Sequence, residues 1–234
     1  MKTPPKRTIA IIPSAGKGRR LGLKKKPYLP LGKKPMLART LNAFEDCPLI
    51  DAVVVVVAPG DIGYCRENIV KKYKCRKVVA VIAGGRERGD SVRRGLDSIK
   101  DGWDFVVVHD AARPFVTPEL IGRTVKAAFK YGSAIAAVPL KDTVKEVSLN
   151  TVRKTIDRNT LAFAQTPQAF RFEILKEAYK KAKGHTRATD DSSLVERLGN
   201  RVAVVPGSYG NIKITTVEDL AFAGRLLRSR RVRS

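Results

Sequence analysis

"TIAIIPSAGKGRRLG", residues 8–22, passes from an unbroken apolar run into a glycine-rich turn crowded with lysine and arginine. The apolar half has the length and composition of a buried strand. The turn after it matters more, because in an open α/β sheet ligands bind beyond the carboxyl ends of the strands. Glycines there let backbone N–H groups approach phosphate oxygens, and basic side chains add charge. The positive stretch continues through "LKKKPYLPLGKK" (23–34), and the first acidic residue of the chain is Glu45. Its counter-charge therefore comes from farther along the chain or from outside it. A plain surface turn with solvated charges is the alternative.

Outward from this turn, apolar runs alternate with helical patterns. "DAVVVVVAP" (51–59) carries valine from Val53 to Val57 without a break, the pattern of a parallel strand covered on both faces. "VVAVIAG" (78–84), "FVVVHD" (105–110), "AIAAVPL" (134–140) and "RVAVVPG" (201–207) read as further strands. Helical spacing marks "MLARTLNAFEDC" (36–47), "RGDSVRRGLDSI" (88–99), "TPELIGRTVKAAFKYG" (117–132), "RFEILKEAYKKAKG" (171–184) and "DDSSLVERLG" (190–199). "NIKITTVEDLAFAGRLLRS" (211–229) predicts a short strand, then a terminal helix. Such alternation predicts a doubly wound α/β sheet. From Leu140 to about Gln165 polar and β-branched residues alternate around Asn150, which predicts a hairpin too polar for a central sheet. One domain spanning 1–234, with a dimerisation arm at about 140–165, is the simplest organisation.

Composition narrows the partners. No run approaches the roughly 20 apolar residues that span a bilayer, and "MKTPPKRT" leads straight into the first strand without a signal-peptide pattern. The expectation is a cytoplasmic protein with no membrane partner. Cys47, Cys65 and Cys75 form no CxxC pair, so buried or incidental thiols are expected rather than a metal site or disulfide. The net charge of +24, from 46 basic and 22 acidic residues, favours an anionic partner; a generally basic proteome or a thermophile's surface gives the same balance. A nucleic-acid-binding module is suggested by this charge and by the tail "RLLRSRRVRS". Against it, no zinc-finger, RRM or helix-turn-helix pattern is present, and aromatics are only 6%, so specific nucleic-acid recognition is not expected. The glycine turn is no Walker A loop, and Gly16, Gly18 and Gly22 miss the dinucleotide spacing GxGxxG by one residue.

"SAGKGRRLG…KKKPYLPLGKKPML" resembles the signature of sugar-nucleotide pyrophosphorylases and related nucleotidyltransferases. Six further stretches occur in order: "GGRERGDSVRRGL" (84–96), "VVVHDAARPFV" (106–116), "VPLKDTVKEV" (138–147), "DRNTLAFAQTPQAF" (157–170), "ATDDSSLVE" (188–196) and "GSYGNIKITTVEDL" (207–220). Together they resemble the 2-C-methyl-D-erythritol 4-phosphate cytidylyltransferase family of the non-mevalonate isoprenoid pathway, over essentially the whole chain. The resemblance implies a Rossmann-like, doubly wound, mostly parallel sheet with an inserted β-hairpin arm. It also implies cytidylyl transfer from CTP to 2-C-methyl-D-erythritol 4-phosphate, with Mg²⁺ or another divalent cation. Ribitol 5-phosphate cytidylyltransferases share fold and chemistry, but more typically carry Ser-Val where this chain has Ala111-Ala112.

Residue by residue, the resemblance places Arg20, Lys26 and Lys213 on the triphosphate around the reacting phosphorus. Ser14 stands where the family often has Ala, and Lys24-Lys25-Lys26 precede Pro27, so the loop lysine is Lys26 or Lys25. Ala15, Gly16 and Gly18 belong to the CTP loop, and Gly84, Gly85 and Ser91 to the cytosine and ribose contact. Asp90 or Ser91 could instead simply cap a helix. Asp110 is the candidate CTP and metal ligand, or else a capping or turn aspartate. Arg113, Thr143, Arg158, Thr166 and Thr189 fall where the family contacts the second substrate. The alternation of Ile212, Lys213 and Ile214 puts Lys213 on the face opposite the isoleucines. The arms are expected to interlock in a homodimer, carrying Thr143 and Arg158 into the partner's site.

Overall fold

The computed structural model describes residues 6–16, 26–182 and 189–232. Along the chain come β1 (Thr8–Pro13), β2 (Pro30–Leu31), β3 (Lys34–Pro35), α1 (Met36–Glu45) and β4 (Ala52–Val57). Next are α2 (Ile62–Cys65), continued as a π-helical turn over Arg66–Lys71, β5 (Val78–Ala83), α3 (Arg88–Ser98), β6 (Phe105–Val108) and α4 (Pro118–Tyr131). The second half holds β7 (Ser133–Pro139), β8 (Val144–Ser148), β9 (Thr151–Ile156), β10 (Ala162–Arg171), α5 (Phe172–Lys181), α6 (Ser192–Glu196), β11 (Ala203–Pro206) and α7 (Val217–Val232).

The large sheet is ordered β11-β7-β10-β6-β1-β4-β5. β1 pairs in parallel with both β4 and β6, and only β10 runs antiparallel to its neighbours. The chain builds outward from β1 through β4 to β5, then returns to lay β6 on the other side. The strand order therefore reverses between β1 and β6, and a doubly wound sheet opens a crevice at that switch point. Unbroken apolar strands are explained by cover on both faces. Ala10, Ile12, Val53, Val55 and Val107 pack with α1 and α4 residues such as Leu41 and Ile121. The intervening Ile9, Ile11, Val54, Val56 and Val106 pack with Leu96 of α3 and Leu175 of α5. At α4, Thr117 Oγ1 accepts the Leu120 N–H, Pro118 opens the first turn, and Gly132 at φ +86° ends the helix.

Three features depart from the sequence expectations. Residues 62–71 form a helical segment that the apolar spacing does not predict. The short strand predicted near Lys213 is absent; this segment is irregular, and its Ile214 N–H donates to the Ala112 carbonyl instead. The hairpin is also shorter than residues 140–165, because residues 162–165 already belong to β10 in the sheet. β10 is hidden in the sequence because Gln165, Thr166, Pro167 and Gln168 interrupt its pattern, and proline inside a run argues against a central strand. The structure meets this with a register shift between Ala164 and Gln168. The polar side chains there are turned inward and hydrogen-bonded.

The remaining arm, β8 and β9, turns through Leu149 and Asn150, with φ of +49° and +63°. Asparagine tolerates that conformation and leucine does so poorly. All three cysteines are buried and unpaired, and burial pushes the Cys65 and Cys75 thiols up to about 12 and 11.

Candidate active site

Beyond the carboxyl ends of β1 and β6 lies a cavity of about 360 Å³. Ser14, Ala15 and Gly16 line it after β1, Asp110, Ala111 and Ala112 after β6, and Gly85 to Arg88 after β5. Lys26, Lys213 and Thr215 also line it. The segment carrying Lys213 and Thr215 is fastened on both sides. Ile214 is fully buried beside Leu31, Met36 and Phe115, and Asp219 at the start of α7 accepts the N–H groups of Thr215 and Thr216. Ile214 plugged into the small core leaves Lys213 pointing at the cavity, so the two-residue alternation holds without a strand.

Charges meet in a chain across the cavity edge. Asp110 Oδ2 accepts from Lys213 Nζ at 2.7 Å, and Asp110 Oδ1 from Arg88 Nε at 2.7 Å. Arg88 reaches back with NH2 to Asp191 Oδ2, also at 2.7 Å. Burial pushes the Asp110 carboxyl up, but Arg88 and then Lys213 outweigh it and hold the group well below the usual carboxylate range. Burial works against the Arg88 charge, yet Asp191 and Asp110 more than restore it.

Beneath this layer the backbone of Asp110 is fixed by a neutral relay. The Asp110 N–H donates to Thr166 Oγ1 at 3.0 Å. The Thr166 hydroxyl then donates to His109 Nδ1 at 3.1 Å, and His109 Nε2–H to the Arg113 carbonyl at 3.2 Å. These are the roles of a neutral imidazole with its proton on Nε2. Burial pushes its pKa down to about 4, against the pull of Asp110. Asn211, also fully buried, donates to the Thr166 carbonyl at 2.9 Å and to Gln165 Oε1 at 3.2 Å. The polar residues that make β10 look like surface are therefore the underside of the site.

The structure brings Ala15, Gly16, Lys26, Gly85, Ser91, Asp110 and Lys213 to the lining of one cavity. Arg20, Gly18 and the alternative lysine Lys25 lie outside the described residues. Gly85 lines the cavity and Gly84 does not, and packing alone requires glycine at both positions. A Cβ at Gly84 would stand 2.4 Å from Ala15 Cβ, and one at Gly85 2.2 Å from Asp90 Cβ. Ser91 is 2% exposed; its hydroxyl accepts the Gly85 N–H and donates to the Glu87 carbonyl. It therefore braces the turn. The cap of α3 is Glu87, whose N–H donates to Asp90 in a capping box.

Thr166 is buried in this relay, beneath the cavity and outside its lining. Arg113 is turned toward the Asn211 carbonyl, 2.8 Å away, and burial lowers its pKa. Thr143, Arg158 and Thr189 are exposed and outside the cavity lining. The Arg158 guanidinium donates to the Lys141 carbonyl at the base of the arm.

The sequence singles out neither Arg88, which lines the cavity, nor Asp191, which is buried behind it. In sequence Arg88 is indistinguishable from its neighbour Arg86 as one more cation, and only the fold sets Asp191 opposite it. Among the described residues no group of three or more His, Cys, Asp or Glu could hold a metal ion, and no helix is long and apolar enough to cross a membrane.

Comparison with known proteins gives a consistent result. The family model described as 2-C-methyl-D-erythritol 4-phosphate cytidylyltransferase matches residues 8–229. A protein of that name from Syntrophus aciditrophicus is 48% identical over 225 residues, 95% of this chain and 96% of the relative. The crystal structure of 4-diphosphocytidyl-2C-methyl-D-erythritol synthase from Anaerococcus prevotii superposes with a TM-score of 0.85 at 34% identity, covering 95% of this chain and 96% of that one. The cytidylyltransferase structure from Thermus thermophilus gives 0.78 at 33% identity, covering 94% and 98%.

Proposed function

The chain belongs to the 2-C-methyl-D-erythritol 4-phosphate cytidylyltransferase family, and from that premise we propose how its cavity carries out the reaction. The enzyme transfers the cytidylyl group of CTP to 2-C-methyl-D-erythritol 4-phosphate and releases pyrophosphate. A phosphate oxygen of the alcohol phosphate forms a new bond to the α-phosphorus, and the bond from that phosphorus to the pyrophosphate oxygen breaks. The nucleophile is already an anion, so no serine, cysteine or histidine needs activating. Catalysis consists of aligning two polyanions and stabilising the charge that gathers at the five-coordinate phosphorus.

One observation carries this reading: Lys26 and the Lys213–Asp110–Arg88 cluster converge on one cavity at the switch point of the sheet. Lys213 is the most exposed member of that cluster. It has a single carboxylate partner and is 39% exposed, so an arriving triphosphate competes directly for its ammonium group. Lys26 and Arg20 supply further positive charge to the phosphates. Gly85 and its neighbours face the base.

Asp110 fits a divalent cation. Mg²⁺ takes one or two carboxylates and completes its shell with phosphate oxygens and water, and Asp110 Oδ2 is released when Lys213 moves to the substrate. Asp110 would hold the ion, which neutralises phosphate charge when bound.

A second copy of the chain completes the site in this reading. Val147 and Val152 face solvent along the arm, at 58% and 55% exposure, with Leu149 at 96% and Phe163 at 59% nearby. A two-stranded hairpin is marginally stable alone in water, and a two-fold pair of arms buries these side chains. The same pairing carries Thr143 and Arg158 to the partner's methylerythritol phosphate. Both substrates are multiply charged and do not cross membranes unaided, which points to work in the cytoplasm.

The deciding experiment offers CTP with methylerythritol phosphate or with ribitol 5-phosphate, in separate assays. Release of pyrophosphate should require the former; equal or faster turnover with ribitol 5-phosphate would overturn the substrate assignment.

A further inference from the structure

Asp191 lies at the start of α6 and is fully buried. A carboxylate out of contact with water is held only by partners that match its charge and lone pairs. Asp191 has both. Its Oδ1 accepts from the Tyr179 hydroxyl of α5 at 2.5 Å, and its Oδ2 from Arg88 NH2 at 2.7 Å. Burial and the adjacent carboxylate push the Tyr179 hydroxyl well above its ordinary range, so it stays a donor. Through Arg88 the line continues to Asp110 and ends at Lys213.

The two cations on Asp110 are not equivalent. Lys213 is a point charge on a flexible stem, and Asp110 is its carboxylate partner. Arg88 is a planar fork divided between two carboxylates, and is less exposed, at 28%. A triphosphate entering the cavity attracts both. If Arg88 followed Lys213, Asp110 would lose both counter-charges at once. What restrains Arg88 is the buried carboxylate behind it.

We propose that Asp191, braced by Tyr179, is a positioning residue for cytidylyl transfer: it tethers Arg88 so that the Asp110 carboxylate stays in place when Lys213 moves to the substrate phosphates. This rests on the reading of Lys213 as a phosphate ligand. Asp191 itself touches neither substrate. Its effect reaches the reaction only through Arg88, and this gives the test a distinctive form.

Steady-state kinetics are measured on full-length Asp191→Asn, Tyr179→Phe, Arg88→Gln, the Asp191→Asn/Arg88→Gln double variant and Lys213→Ala. Rates are referred to the folded fraction read by circular dichroism. Asp191→Asn should lower kcat about 30-fold while KM for CTP changes less than about threefold, the signature of support given mainly in the transition state. Tyr179→Phe, which keeps the carboxylate and removes one donor, should cost about threefold in kcat. The double variant should be no slower than Arg88→Gln alone, because residues that act through one another are not additive. Full kcat in Asp191→Asn, or a double variant whose loss is the product of the two single losses, would overturn the tether. Should Asp191→Asn fail to fold, Tyr179→Phe decides, and an unchanged kcat there removes the proposal. Lys213→Ala tests the premise separately. If it keeps full activity, both readings fall; if it is crippled while Asp191→Asn is fully active, only the role of Asp191 falls.

Discussion

Asp110 and Val147 both belong to segments that leave the main sheet, and the fold treats them in opposite ways. Around Asp110 the charges answer one another within a single chain: Lys213 and Arg88 on its two oxygens, and Asp191 behind Arg88. Along the arm the apolar faces have no such answer. Val147 pairs with Val152 across the ladder, yet both remain more than half exposed. Asp110, Arg88 and Lys213 are already paired with one another, so a substrate phosphate that takes Lys213 must exchange partners with Asp110. Apolar groups on the arm are left exposed, and burying them would contribute about 25 cal/mol per Å².

The largest effect should come from the cavity side. Lys26→Ala should lower kcat by about 100- to 1000-fold, a loss of about 2.7–4 kcal/mol, with a smaller change in KM for CTP. Steady-state kinetics check this, and a crippled Lys25→Ala beside a mild Lys26→Ala would move the loop lysine by one position. The same variant joins the two regions when unfolded and refolded with Arg158→Ala. In a site shared between chains, one of the two heterodimer sites carries both lesions and the other neither, so activity returns to at most about half per heterodimer. A mixture that stays inactive despite verified subunit exchange would confine the site to one chain.

The next effect reads the relay under the cavity through acid stability. His109 titrates near 6.5 when unfolded and at about 4 in the fold. Above pH 6.5 both states are neutral and the residue adds no pH dependence. As pH falls from 6.5 to 4 only the unfolded state gains a proton, so stability drops, by about 3 kcal/mol in all. Denaturant titrations across this window should be flatter for His109→Gln than for the parent chain. Identical slopes would mean that the relay does not hold His109 neutral.

Asp110→Asn should leave the chain folded and raise the Mg²⁺ concentration needed for half-maximal rate by about tenfold or more. An unchanged metal requirement would leave Asp110 a purely structural acceptor for Arg88 and Lys213. On the arm side, Val147→Asp should weaken self-association by about tenfold in sedimentation experiments, since burying an unpaired charge in an apolar contact is costly. Activity per chain should then fall on dilution. An arm variant that associates as well as the parent would make the exposed valines irrelevant to assembly.

The strands around β1 are legible in the sequence because periodicity and burial are local properties. Val53 to Val57 can be unbroken only where both faces are covered, and both are. Lys213 is legible for a related reason: the isoleucines at 212 and 214 set its direction whether or not a strand forms. β10 is illegible because Gln165, Thr166 and Gln168 carry a surface pattern, and their partners Ser208, His109 and Asp190 are distant in sequence.

The sequence by itself determined the alternating α/β architecture, the glycine turn after the first strand and the family, because ordered motifs and apolar spacing are written along the chain. Only the tertiary structure decided that Ser91 braces the Gly85 turn, that Thr166 holds the Asp110 backbone from beneath, that Arg88 rather than Arg86 holds Asp110, and that Asp191 stands behind Arg88. The physical reason is range. A buried charge is tolerated only beside its counter-charge, and the pairing of Arg88 with Asp191, 103 residues apart, exists only once the sheet has brought α3 and α6 together.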